Sequence, residues 1–77
     1  MNSLFDIQGD VFAAHEVAAV AVNPPNEEEG ETQWTLRVVL RGSPQYVDYY
    51  EDDEKEARSA QLEAVAAWKN ALTRTSD

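Results

Sequence analysis

The chain contains no cysteine, so it can build no disulfide framework, cysteine-ligated zinc site or thiol nucleophile. It has one histidine, His15, flanked by alanines and a glutamate. One imidazole with no second base beside it gives no footing for Ser–His chemistry and reads as a partly exposed or hydrogen-bonded side chain. No apolar stretch approaches the ~18 residues of a membrane span. MNSLFDIQGD at the start lacks the basic residues and long apolar run of a secretory signal. There is no Gly-rich phosphate loop. Most telling, no Lys or Arg occurs before Arg37. These absences predict one domain over residues 1–77, cytoplasmic, non-enzymatic, with no cofactor and no metal.

What is present is acid. The net charge is −9. Residues 1–36 carry −7, residues 37–56 carry −3, and residues 57–77 carry +1. Such a molecule repels nucleic acid and anionic lipid head groups and attracts basic protein surfaces. The expected partner is therefore a basic protein surface, with no direct nucleic acid and no membrane. At 77 residues, a domain hides only ~60% of its unfolded surface, so each large apolar residue matters.

The clearest strand is TQWTLRVVLR, 32–41. Trp34, Leu36, Val38 and Leu40 share one face; Thr35, Arg37, Val39 and Arg41 share the other. Gly42-Ser43-Pro44-Gln45 reads as a turn, and 46–50 alternates again, which predicts a hairpin. Setting Arg41 opposite Tyr46 pairs Leu40 with Val47 and Val38 with Tyr49, and places Asp48 diagonal to both Arg37 and Arg41. A third strand is expected over 16–22, with Ala18, Val20 and Val22 beside Trp34 and Leu36. LFDI, 4–7, is expected as a short edge strand before a Gly9-Asp10 turn. Residues 11–16 stay open between strand, turn and helix. NPPNEEEGE, 23–31, reads as a mobile acidic loop.

From about 52 to 73 the period is helical, with no Gly or Pro. Ala57, Gln61, Ala64, Val65, Trp68 and Leu72 gather on one side of the wheel. The predicted fold is thus α+β: a three- to four-stranded antiparallel sheet (about 4–7, 16–22, 32–41, 46–50) with one C-terminal helix on one face. Both tryptophans, Trp34 and Trp68, are expected in the core.

Acids dominate the candidate sites. Glu51, Asp52, Asp53 and Glu54 suit a helix start, where unpaired amides and the dipole favour negative charge, and Arg74 suits the other end. The dipole does not require Asp48, Glu56 or the separate group Glu27, Glu28, Glu29 and Glu31. Neither NEEEGE nor EDDE has the spacing of a calcium loop. An acidic surface keeps a small domain soluble. It also imitates duplex DNA, which presents one charge per ~1.7 Å of axis. With one helix available, Val17, Ala19, Ala21, Val39, Tyr46 and Tyr50 should lie on an uncovered sheet face, of which Val39, Tyr46 and Tyr50 are candidates for self-association.

In the acids Asp48, Glu51–Glu54, Glu56 and Glu27–Glu31, together with its size and its lack of Cys and catalytic motifs, the chain resembles the small phage-encoded anti-CRISPR inhibitors, several of which act as DNA mimics. The resemblance implies docking on a nucleic-acid-binding effector, such as a subunit of a CRISPR complex, inside a bacterial host cell. The alternative from the residues is a small structural module that homodimerises through its uncovered sheet face.

Overall fold

A computed structural model describes residues 3–42 and 45–74. Ser43 and Pro44, expected in the hairpin turn, and the side chain of Arg74, expected at the helix end, lie outside what is described. The chain order is β1 (Leu4–Ile7), β2 (Asp10–Ala13), a 3-10 turn (Ala14–Glu16), β3 (Val17–Asn23), a second 3-10 turn (Glu27–Glu29), β4 (Trp34–Leu40), β5 (Tyr46–Glu51) and α1 (Glu54–Arg74). The α+β class with antiparallel strands and one C-terminal helix is present. The strands divide into a two-stranded ribbon, β1-β2, and a three-stranded sheet in the order β3-β4-β5. Both sheets are open.

The ribbon settles residues 11–16, which divide between β2 and the 3-10 turn. LFDI does form a strand, but it pairs with the residues after it and does not extend the larger sheet. Gln8 and Gly9 form the turn, at φ 50° and φ 91°. Two positive φ values are what a tight hairpin needs to match the strand twist. Asp6 Oδ1 accepts from the Gly9 amide at 2.9 Å and braces it. A Cβ on Gly9 would meet nothing within 4 Å, so the constraint there is conformational. Gly9→Val is accordingly expected to lose about 1–2 kcal/mol, read from the urea midpoint, from the left-handed backbone alone. An unshifted midpoint would mean that the turn rearranges freely.

Hydrophobic alternation sets the faces of β4. Leu36 and Val38 are fully buried. In β3 a bulge overrides simple alternation. Val17 pairs with Leu40 and Ala19 with Val39, so Ala18 is an extra residue. Val17 therefore turns into the core, fully buried, and Ala18 is exposed, the reverse of the expected arrangement. The physical reason is volume: the bulge puts Val17 and Val20 under the same cover and leaves alanine outside.

The β4-β5 register is offset by two residues from the expected one. Val39 opposes Tyr46, Val38 opposes Val47 and Arg37 opposes Asp48. An offset of two preserves the faces, so the apolar sets still share a side. The last ladder contact is Leu40 N–H to the Gln45 carbonyl at 3.2 Å, which starts the turn at Arg41. Gly42, at φ 72°, takes up the left-handed position there.

The ribbon and α1 together cover the inner face of the sheet. The core joins Phe5 and Ile7 of the ribbon, Ala14, Val17 and Val20, Leu36 and Val38, and Ala64 and Ala71 of the helix. Phe12 packs against Phe5 with ring centres 6.0 Å apart and planes tilted by 37°. Ala57, Ala64 and Ala71 are the buried helix positions, and small side chains let the helix sit close on the strands. Leu72, expected on that face, is 36% exposed because Ala71 takes the inward position. Trp68 packs against the core and donates its Nε1 hydrogen to the Ala14 carbonyl at 3.0 Å. Trp34, expected in the core, is half-buried and belongs neither to the core cluster nor to the side chains packed on it.

Candidate functional site: an acidic end and an open strand edge

The antiparallel topology brings together two acidic segments that are separate in sequence. β4 starts at Trp34, opposite Glu51, the last residue of β5. Everything just before β4 and just after β5 therefore shares one end of the sheet. The segment before β4 holds Glu27, Glu28, Glu29 and Glu31; the segment after β5 holds Asp52, Asp53, Glu54 and Glu56. Gln33 Nε2 reaches Asp52 at 3.4 Å and ties the segments directly. Tyr50 of β5 and Gly30, Glu31, Thr32 and Gln33 before β4 line a hollow of about 320 Å³ at this end.

The Glu27–Glu29 segment is a closed turn. Asn26 accepts from the Glu28 amide through Oδ1 at 3.1 Å, and Glu31 Oε1 accepts from the Asn26 amide at 3.1 Å. Gly30 closes it at φ 77°, giving its N–H to the Glu27 carbonyl. The bonds orient the backbone, and Glu27, Glu28 and Glu29 are exposed to solvent. At the helix start, Asp53 Oδ1 caps α1 by accepting from the Glu56 amide at 2.9 Å, which places the helix start at Glu54.

The described carboxylates differ in how far their charge is offset. Two take part in ion pairs among the described residues. Arg58 Nε meets Glu54 at 2.9 Å on the exposed helix surface, a pair worth about 0.3–0.5 kcal/mol. Arg37 holds Asp48 with two parallel bonds, Nε to Oδ1 at 2.8 Å and a terminal nitrogen to Oδ2 at 3.0 Å. The same guanidinium lies 3.9 Å over the centre of the Tyr46 ring. The hydrogen bond to Asp48 raises the Arg37 pKa further above its ordinary value. Asp48 thus contributes least to the outward field. Arg41, expected to share Asp48, is exposed and forms no ion pair among the described residues, because the register puts Arg37 squarely opposite Asp48. Glu51 accepts from the Gln8 side-chain amide at 3.0 Å, a partner that brings no counter-charge.

The outer face of the sheet carries Tyr46 at 53% and Tyr50 at 62% exposure, with the neutralised Arg37–Asp48 pair between them. Val39 and Ala21 are half-buried there and Ala19 is exposed. Val17, expected on this face, belongs to the core. His15 is exposed in the first 3-10 turn. Among the described residues no helix is long and apolar enough to cross a membrane, and no three His, Asp or Glu side chains converge as metal ligands do. The hollow between the ribbon and the helix, lined by Asp6, Ile7, Gln8, Ala60, Glu63 and Ala64, measures 100 Å³, below the ~300 Å³ of typical small-molecule sites.

Sequence reasoning missed Tyr49. Its hydroxyl donates to Asp10 Oδ2 at 2.6 Å and links β5 to the ribbon. Burial, then the hydrogen bond and the charge of Asp10, and then Asp6, raise its pKa well above the ordinary value of 10.0. Folding therefore favours the neutral phenol. The stability it supplies is complete below pH 10 and fades as alkali ionises the unfolded chain first. Wild type should lose stability steeply above pH ~10, and Tyr49→Phe should flatten that limb, as followed by urea midpoints. Identical alkaline limbs would remove the link.

Compared with protein-family models, with curated proteins and with solved structures, the chain matches none.

Proposed function

We propose that this protein is a non-enzymatic acidic inhibitor that docks on a basic, nucleic-acid-binding surface of a partner protein in the cytoplasm, standing in for DNA in the manner of the anti-CRISPR inhibitors it resembles. One observation carries the reading: the β4-β5 pairing collects Glu27, Glu28, Glu29, Glu31, Glu51, Asp52, Asp53, Glu54 and Glu56 at one end of the sheet, with Lys55 the only cation within those two segments and Arg58 just beyond them. Carboxylates on a hydrogen-bonded turn and a capped helix form a negative surface, which complements a Lys/Arg groove and steers encounter.

A competition assay tests it. A CRISPR effector is allowed to bind labelled target DNA with and without this protein, at low and at high salt. The expected result is displacement of DNA at low salt that weakens markedly near 1 M, where the screening length is ~3 Å. Unchanged DNA binding across a panel of such effectors, at low salt and excess protein, would overturn the CRISPR form of the reading.

Self-association through the sheet face has less support. Three strands at ~4.8 Å spacing and about six residues at ~3.3 Å give a footprint of roughly 280 Å². Stable interfaces bury ~800 Å² per partner.

A further inference from the structure

The two edges of the three-stranded sheet differ in a way that the charge map does not require. Antiparallel ladders alternate between residues that bond to the neighbour and residues that aim their backbone groups away. The Leu40–Gln45 bond sets the phase. Val47, Tyr49 and Glu51 therefore spend their N–H and C=O groups on β4, and Tyr46, Asp48 and Tyr50 aim theirs outward. Carried across β4, the same phase turns Val20 outward on β3. That phase is visible in the structure: Gln61 Nε2 of the helix donates to the Val20 carbonyl at 3.1 Å. The helix thus takes up part of the β3 edge. No described residue hydrogen-bonds to the backbone of Tyr46, Asp48 or Tyr50 on the other edge.

The β5 edge also has side chains fit for a strand partner. Tyr46 and Tyr50 are the exposed aromatics, two positions either side of Asp48, where cross-strand neighbours would meet them. Asp48, the charge that would ordinarily discourage an approaching strand, is neutralised by Arg37. Beyond Tyr50 the edge runs into Glu51, Asp52 and Asp53, with Glu31 across the hollow.

We infer that β5 accepts an extended segment of the basic partner as a fourth, antiparallel strand. Its backbone bonds to Tyr46, Asp48 and Tyr50, and the Lys or Arg residues at its N-terminal end meet Glu31 and Glu51–Asp53. This rests on the docking reading above and adds a strand-shaped recognition element to it. Main-chain bonds supply affinity and the acidic end selects a basic sequence.

The test uses the whole protein and a synthetic peptide of about ten residues, basic residues followed by alternating Thr and Val, a β-forming pattern. Two controls are a twin with alternate backbone nitrogens methylated, which keeps charge and side chains but loses donors, and a version headed by Glu. Amide hydrogen exchange is followed by residue. The expected result is that the Tyr46, Asp48 and Tyr50 amides slow by ~tenfold or more with the basic peptide alone, while Val47 and Tyr49, already bonded to β4, change little. Equal effects of the methylated twin, perturbing Glu51–Glu56 without protecting β5, would overturn strand addition and leave charge docking standing. Protection that grows with protein concentration in the absence of peptide would make a second copy the occupant and overturn the proposal. No response at either the acids or β5, in low salt, would count against both readings.

Discussion

Leu36→Ala is expected to remove about 2–5 kcal/mol of stability, a large share of what so small a domain has, and to lower the urea midpoint accordingly. Leu36 is fully buried in the central strand and belongs to the cluster shared by the ribbon, the sheet and the helix. Removing most of such a side chain costs about 2–5 kcal/mol, made up of lost transfer energy and the cavity left behind. At ~0.05–0.15 kcal/mol per residue, a domain of this length has roughly 4–12 kcal/mol in total. The alanine-lined helix makes the loss harder to absorb, since Ala64 and Ala71 have no side chain with which to fill a void. Leu62→Ala is the control: Leu62 is 71% exposed, and its loss should stay within ~0.5 kcal/mol. Urea midpoints with unchanged slopes separate the two. Equal shifts for both variants would mean that the core is not where the structure puts it.

The second large effect concerns binding. Asp52→Asn, Asp53→Asn, Glu54→Gln and Glu56→Gln combined should weaken partner affinity by about 10–10³-fold at low salt, chiefly through slower association. Asn at 53 retains the oxygen that caps the helix, so the fold should survive. The stability change is limited to the dipole contributions, ~0.3–1 kcal/mol each, and to the exposed Arg58–Glu54 pair. Extending the series to Glu27, Glu28 and Glu29 should deepen the loss, because those residues share the same end of the sheet. Glu16→Gln with Glu63→Gln, outside both segments, should matter far less per charge removed. A surface-resonance titration that shows the same loss per charge for both sets would mean that net charge alone is acting, and the case for a localised docking end would fail.

These two results bear on different parts of the molecule, which is an advantage of the arrangement. The buried cluster holds the sheet, ribbon and helix together, while the acids sit on a turn and a helix cap at its edge. Asp48 is the exception. It is bound by Arg37, whose guanidinium also covers Tyr46, so it serves the sheet more than the outward field.

Local periodicity made some of this legible from residues alone. The two-residue alternation of 34–40 and the helical spacing from Ala57 to Trp68 repeat over short distances, and burial selects the apolar side whichever neighbours arrive. The acid at the helix start follows from the unpaired amides there. Other features depend on contacts distant in the chain. In Val17–Val22 valine and alanine fit a strand in either phase, and the bulge at Ala18 exists because Val17 and Val20 are buried against the same core. The β4-β5 register depends on how the turn after Arg41 closes, and a two-residue offset leaves every face unchanged, so hydrophobic pattern cannot detect it. LFDI looks alike whether it joins the large sheet or folds back on β2.

Composition and spacing by themselves determined the α+β class, the burial of Leu36 and Val38 on β4 and of Ala57 and Ala64 on α1, and the excess of negative charge. Only the tertiary structure decided that Glu27–Glu31 and Glu51–Glu56 meet at one end, that Arg37 and not Arg41 takes Asp48, and that Gln61 bonds to one sheet edge while no described residue bonds to the outward backbone groups of the other. The reason is distance along the chain: period is set by neighbours a few residues away, whereas convergence is set by which strands pair once a common core is buried.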